Sequence, residues 1–172
     1  MDRDRFHETR YKTLIYSGGH THERGVGILF NVATAKSLGS WCPTSDRVVV
    51  AKLVANPLNL RIIQVYAPTS DSEDVQVEKF NEEIEKAKDY LQFQDIIIVM
   101  GSFNAKVGDE RIENVVGPSG IGTVNERGRR LIEWCQIMIL PSLIPGIKTE
   151  TTVDLEESRQ KKKKQKRLHP HS

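Results

Sequence analysis

The stretch that decides the fold is Ile96-Ile97-Ile98-Val99-Met100, followed directly by Gly101-Ser102-Phe103-Asn104-Ala105-Lys106-Val107-Gly108. A short run of β-branched residues closed by a glycine is typical of a buried strand, and it predicts one over residues 96–100. The polar side chains of Ser102 and Asn104 then follow the C-terminal end of that strand. Sheet enzymes usually place their chemistry at this end of their strands, so the stretch also predicts where a site lies.

The segments before this stretch alternate between strand-like and helix-like patterns. Strands are predicted over 11–16, 26–31, 47–53 and 60–66, the last two forming a hairpin. A helix follows, because apolar residues recur at steps of three and four: Val77, Phe80, Ile84, Ala87 and Leu91.

Local sequence signals predict where the first helix begins and where a second helix lies. Ser70 and Glu73 have the spacing of a capping box before the first helix. A second helix is predicted over residues 125–136. The sequence therefore favours an α/β (α+β) class in which a helix covers one face of a sheet.

Several motifs agree in order and spacing with one known family. They are Gly25-Val26-Gly27-Ile28-Leu29-Phe30, Asp46-Arg47-Val48-Val49-Val50, Gln64-Val65-Tyr66-Ala67-Pro68-Thr69, Gly101-Ser102-Phe103-Asn104 and Asn125-Glu126-Arg127-Gly128-Arg129-Arg130-Leu131-Ile132-Glu133-Trp134-Cys135. Over roughly residues 11–136 the chain resembles the endonuclease/exonuclease/phosphatase (DNase I-like) family, and within it the endonuclease domains of LINE (RTE-type) retrotransposons. The resemblance implies a four-layer α/β sandwich, which we expect to be partial and truncated at both ends.

The resemblance also implies the site residues. Tyr66 matches the family's phosphate-proximal tyrosine, Asn104 its phosphate-contacting amide, and Ser102 stands where the family carries a catalytic aspartate. The family hydrolyses phosphodiesters with Mg²⁺, but nothing here matches its N-terminal glutamate or its Ser-Asp-His segment. We therefore expect this chain to hold no metal or other cofactor and to lack hydrolytic activity. Without the resemblance, Tyr66 is an ordinary half-buried aromatic and Asn104 a common turn residue.

Charge is distributed unevenly along the chain. The net charge is +2 over 172 residues, and a run at 159–167 contains seven basic residues and no acid. Such runs are usually solvated and disordered, and this one is also compatible with a nuclear localisation signal or a DNA contact. Its candidate contacts are Lys161, Lys162, Lys163, Lys164, Lys166 and Arg167.

Composition excludes some classes of protein. No apolar run approaches the roughly 20 residues that span a membrane, so neither a membrane span nor a membrane partner is expected. The two cysteines lack metal-ligand spacing, which favours free, buried thiols in an intracellular chain. The neighbouring residues His20, His22 and Glu23 are more typical of solvated surface at a hairpin tip than of a metal site. Nothing in the sequence indicates the oligomeric state.

Two regions follow from these patterns. Residues 1–136 form a partial endonuclease-like domain, and residues 137–172 form an irregular segment in which two prolines interrupt an apolar run. We interpret this segment as the product of a shifted reading frame or an alternative exon. The sequence leaves three hypotheses about function. The chain is an inactive retroelement-derived endonuclease-like protein, an active nuclease completed by a partner chain, or a non-enzymatic module that binds nucleic acid or protein.

Overall fold

The computed structural model describes residues 5–18, 24–69, 71–92, 94–110, 112, 115–116 and 122–139. The capping serine Ser70, the His20–Glu23 cluster and the basic run at 159–167 lie outside the described residues. Within the described ranges, no helix is long and apolar enough to cross a membrane.

Seven strands in the described ranges form two separate sheets. The first is antiparallel, with the order β1 (Phe6–Glu8), β2 (Lys12–Gly18) and β3 (Gly25–Asn31). The second contains β4 (Leu38–Ser45), β5 (Val48–Leu53), β6 (Leu60–Tyr66) and β7 (Ile96–Ser102) in that order. Its pairs are antiparallel except for β6 and β7, which run parallel.

Three helices complete the described part of the chain. They are α1 (Val32–Ala35), α2 (Asp74–Ala87) and α3 (Glu126–Ile139), and a 3₁₀ turn at Lys88–Tyr90 extends α2. The connection from β6 to β7 runs through α2, because parallel neighbours need a crossover.

The second sheet is covered on both faces. One face meets the first sheet through a cluster that includes Ile15, Ile28 and Phe30 from β2 and β3 and Val49 and Ile62 from β5 and β6. The opposite face meets α2.

The helix-side cluster follows the strand alternation. Val48, Val50, Ile63, Val65 and Val99 come from alternate positions of three strands, and Phe80, Ile84 and Ala87 come from the predicted stripe of α2. Trp134 of α3 packs against the same cluster. The described residues therefore form helix, sheet and sheet layers, which confirms the α/β sandwich.

Several predicted element bounds were wrong. Residues 38–45 had no predicted strand, yet β4 forms there, at the edge of its sheet, where Pro43 costs no ladder hydrogen bond to a further strand. The strand predicted to close at Gly101 continues to Ser102, because β6 remains beside it over the same length. The helix predicted to end at Gln136 continues to Ile139.

The start of α2 also differs from the prediction. The helix begins at Asp74, with Glu73 as the capping residue and no side-chain hydrogen bond from it. Glu73 therefore lies before the helix rather than inside its first turn, and it does not play the part of the third helical residue in a capping box.

A buried ion pair fixes β6 to the start of β7. Arg61 Nε donates to Asp95 Oδ2 at 2.7 Å, and Arg61 also donates to the Tyr90 carbonyl. Asn59 Nδ2 donates to the other carboxylate oxygen of Asp95 at 3.1 Å. The Arg61 guanidinium is therefore held inside the protein by Asp95 and the Tyr90 carbonyl.

The two cysteines are unpaired, as predicted. Cys135 is buried in α3, and burial raises the pKa of its thiol to about 11. Cys42 is only half-buried on β4, so the prediction of burial holds for one thiol of the two.

Candidate functional site

The candidate site lies where β6 and β7 end. Tyr66 and Ser102 are opposite each other in the parallel register, and Ala67 N donates to Ser102 O at 2.8 Å just beyond them. Because carboxyl ends of parallel strands meet at one edge of a sheet, these residues share one face and one edge. The structure thus brings together the two strand-end residues that the sequence singled out.

Asn104 completes this group through an unusual backbone conformation. Its φ is +47°, in the left-handed region that asparagine tolerates better than most residues. Its Nδ2 donates to Ala67 O at 2.7 Å, and Ser102 Oγ donates to its Oδ1 at 3.3 Å. Tyr66, Ser102 and Asn104 therefore form one cluster, held by the backbone of residue 67, although their roles in chemistry stay predictions.

Gly101 allows the cluster to form. Its φ is +136°, and a Cβ built on it would lie 1.9 Å from the Val65 carbonyl oxygen. Only a residue without a side chain lets β7 approach β6 so closely at this point. The sequence predicts Gly101 as the end of a strand. In the structure, Gly101 is the residue that places Ser102 beside Tyr66.

Arg47 lies beside the tyrosine. The guanidinium carbon of Arg47 is 5.4 Å from the centroid of the Tyr66 ring, and Arg47 Nη1 donates to Tyr66 O at 3.1 Å. Burial and the nearby positive charge of Arg24 lower the pKa of Arg47, while Tyr66, Glu83 and Asp46 oppose that shift. A cation over an aromatic face is favourable, so Arg47 holds the tyrosine from one side.

The start of α3 closes the other side. Asn125 Oδ1 accepts from Gly128 N at 2.8 Å and from Lys106 N at 3.1 Å, which caps the helix and ties it to the segment after β7. Arg127 then donates to Pro68 O at 2.6 Å and to the Thr69 carbonyl. These bonds fix the chain that leaves β6 immediately after the site.

An apolar cavity of about 260 Å³ adjoins this edge, between α2 and α3. Its lining includes Ala67 and Phe103 from the strand ends, Phe80 from α2, and Leu131 and Trp134 from α3. The cavity meets the site through residues 67 and 103, and beside these apolar residues its lining includes Asn81, Glu85, Arg127, Arg130 and Glu133.

The side chains of the cluster do not fit a Mg²⁺ ion. Mg²⁺ is bound in proteins through carboxylates, with waters and phosphate oxygens completing an octahedron. Here Ser102 supplies only a neutral hydroxyl, and the one amide oxygen, Asn104 Oδ1, already accepts a hydrogen bond from that hydroxyl. Within the described ranges no three His, Cys, Asp or Glu side chains are grouped as metal ligands. No catalytic step can be derived through a metal at this cluster.

Comparison with known proteins gives a consistent match. The chain is 34% identical over 123 residues to craniofacial development protein 2 of Bos taurus and 32% identical over the same length to that of Tragulus javanicus. The match covers 71% of this chain and 21% of each relative.

The chain is homologous to craniofacial development protein 2. The chain spans about a fifth of the length of these relatives. No protein-family model matches the chain.

Two neighbours of the cluster, Arg47 and Arg127, are not marked as its neighbours by any sequence pattern. Arg127 is 59 residues from Pro68, whose carbonyl it binds, so no local pattern points to the contact. The tail residues Lys161, Lys162, Lys163, Lys164, Lys166 and Arg167 lie outside the described residues.

Proposed function

We propose that this chain is a DNase I-like domain, descended from a LINE (RTE-type) retrotransposon endonuclease, that does not hydrolyse phosphodiesters. Three findings support the proposal: the two-sheet α/β sandwich, the homology to craniofacial development protein 2, and the agreement of motifs along the chain. The family reaction needs Mg²⁺ ligands, a group that activates water and donors for the phosphoryl oxygens.

The observation that carries the proposal is the hydroxyl of Ser102. It lies at the end of β7 beside Tyr66 and Asn104, where the resemblance places a catalytic aspartate. A serine hydroxyl carries no negative charge at neutral pH, so it neither attracts a hard cation as a carboxylate does nor serves as a general base without a partner. Loss of a single preorganised polar group commonly lowers a rate by about 10²–10³-fold.

Restoring the acid alone should not restore activity. In Ser102→Asp, one carboxylate would stand beside a single amide oxygen, Asn104 Oδ1, and the described residues contain no group of three His, Cys, Asp or Glu side chains that could hold a metal ion, which leaves Mg²⁺ short of protein ligands. Groups that act as a unit are not additive, so one repaired member gives little. We expect the purified variant to nick supercoiled plasmid at the background rate with Mg²⁺ or Mn²⁺.

The matched control is Asn104→Gly, which removes the amide but keeps a residue that tolerates φ of +47°. Nicking by Ser102→Asp that disappears in the double variant Ser102→Asp/Asn104→Gly would contradict the proposal. It would show that the remaining ligands are present and that only the acid had been lost.

A second candidate function is binding of a polyanion without catalysis. The charge of Arg24 is close enough to Arg47 to lower the pKa of Arg47, and the Arg47 guanidinium lies over the Tyr66 ring at the end of β6. Two neighbouring guanidinium groups favour a phosphate, and an aromatic face favours a base. The basic run at 159–167 would add to such binding.

Salt dependence distinguishes this function from a purely structural role. We expect Arg24→Gln to weaken binding of a fluorescent single-stranded DNA and to reduce the slope of log affinity against log salt by about 1. Lys12→Gln removes one exposed charge at the far end of β2, where Lys12 pairs with Asn31, and should change neither quantity as much. Equal effects of the two substitutions would exclude a specific phosphate contact at Arg24.

A further inference from the structure

Strand β7 is an open edge of the second sheet. Among the described residues its only strand neighbour is β6, and the sheet ends there. Ile96 N donates to Asn59 O and Ser102 O accepts from Ala67 N, so the peptide groups of residues 96 and 102 point toward β6. Because peptide groups alternate along a strand, those of Ile97, Val99 and Gly101 point away from β6, toward the open side.

The same strand exposes apolar side chains. Ile96 is 49% exposed and Ile98 is 38% exposed. They lie on the same side of the sheet as their partners Leu60 and Ile62, the side that packs on the first sheet, but at its β7 margin they remain accessible. Residues 96–105 contain no charged side chain. Open strand edges are usually protected by charges, prolines, bulges or short length, and β7 has seven residues and none of these features.

The opposite edge of the sheet is protected. β4 carries Pro43 and two irregularities in its register, between Leu38 and Ser40 and between Pro43 and Ser45. In the first sheet, β1 has three residues, and the alternate side chains of β3 at Val26, Ile28 and Phe30 are already buried. β7 thus combines unpaired peptide groups with uncovered isoleucines.

We propose that β7 pairs with β7 of a second copy of this chain, in antiparallel orientation about Val99. The outward-pointing residues 97, 99 and 101 are symmetric about Val99, so Ile97 would lie opposite Gly101 of the second copy and Val99 opposite Val99. One two-fold contact therefore provides hydrogen-bond partners for the outward-pointing peptide groups of all three residues in both copies. The neutral strand brings no like charges together, and the pairing covers Ile98 with Met100 of the second copy.

This arrangement makes one eight-stranded sheet from two four-stranded sheets. It is independent of the proposed function, because it requires only the edge of β7 and not the cluster at its C-terminal end. An isologous contact closes after two copies, so the expected product is a dimer and not a polymer.

Analytical ultracentrifugation of the full chain at micromolar concentrations tests the proposal. We expect a dimer, and we expect Ile98→Lys to weaken it at least about 10-fold, because a lysine on an edge strand opposes pairing and each dimer would contain two. The matched control is Leu29→Lys, which places the same charge at a position 56% exposed on β3. It should leave the dimer intact.

A second pair of variants covers the case in which Ile98→Lys fails to fold. In the proposed register Ile98 and Met100 of the second copy form a non-hydrogen-bonded pair with Cα atoms about 4.5 Å apart, a distance that a disulfide spans. Ile98→Cys/Met100→Cys should therefore give a disulfide-linked dimer under mild oxidation, and Ile98→Cys alone should give far less. A monomer at all concentrations, an indefinite polymer, a dimer equally weakened by Leu29→Lys, or no difference between the double and single cysteine variants would each overturn the proposal.

Discussion

Gly101→Ala should strongly destabilise the fold of this chain. The added Cβ would lie 1.9 Å from the Val65 carbonyl oxygen and 2.8 Å from the Val65 carbonyl carbon, and all the nearest atoms belong to the backbone of β6. Backbone atoms in the middle of a sheet do not move aside as a flexible side chain does, and a φ of +136° is itself costly for alanine. We expect a loss of more than about 3 kcal/mol from a domain whose total stability is of the order of 5–15 kcal/mol.

Gly122→Ala is the matched control for this substitution. Gly122 also has a positive φ, of +73°, but a Cβ built there meets no atom within 4 Å. That variant should lose only about 1 kcal/mol of stability, because alanine is strained at a positive φ but meets no neighbouring atom. Urea unfolding followed by circular dichroism compares the two variants. Similar midpoints for Gly101→Ala and Gly122→Ala would contradict the close approach of β6 and β7.

Asp95→Asn should cost about 3 kcal/mol, because it leaves the Arg61 guanidinium buried without a counter-charge. The side chain of Asp95 is 1% exposed and that of Arg61 is 10% exposed, so water does not replace the lost partner. The control is Glu78→Gln, which removes an ion pair with Arg130 at 2.8 Å whose side chains are 63% and 46% exposed. Exposed pairs contribute less than about 1 kcal/mol, so the control should be close to the wild type in a urea titration.

The same ion pair predicts a dependence of stability on pH. Burial by itself raises the pKa of Asp95, but hydrogen bonds from Arg61 and Asn59 and the charges of Arg61 and Lys52 outweigh it and lower the pKa. A depressed pKa in the folded state stabilises the protein above the pKa of the unfolded chain, near 3.9, and this contribution is lost as the pH falls through the folded value. The difference in unfolding free energy between wild type and Asp95→Asn should therefore be constant near neutral pH and shrink below about pH 4. A difference that grows toward acid would contradict this assignment.

The elements with strong local patterns were predictable from the sequence. β6 has the predicted bounds, and α2 buries Phe80, Ile84 and Ala87 from the predicted stripe. β4 was missed, because Gly39, Ser40, Pro43 and Thr44 give it no strand-like composition. It is a strand only because β5 lies beside it, which is a tertiary effect that propensity does not contain.

The site was predictable in its strand-end residues and not in their neighbours. Tyr66, Ser102 and Asn104 follow apolar runs, so their place at one sheet edge follows from parallel pairing. Ala67 O as the partner of Asn104, and Asp95 as the partner of Arg61, are separated from them by 37 and 34 residues and carry no local signal. Gly101 looked like the end of a strand, since its need for close backbone approach becomes visible only with β6 beside it.

This cluster should not support phosphodiester hydrolysis, and plasmid nicking by the wild-type chain is the decisive measurement. Purified chain, incubated with supercoiled plasmid and either Mg²⁺ or Mn²⁺, should produce nicked circles no faster than buffer alone. Asn104→Gly, prepared in the same way, controls for a contaminating nuclease and should give the same background. Metal-dependent nicking by the wild type that disappears in Asn104→Gly would contradict the account and establish an active nuclease.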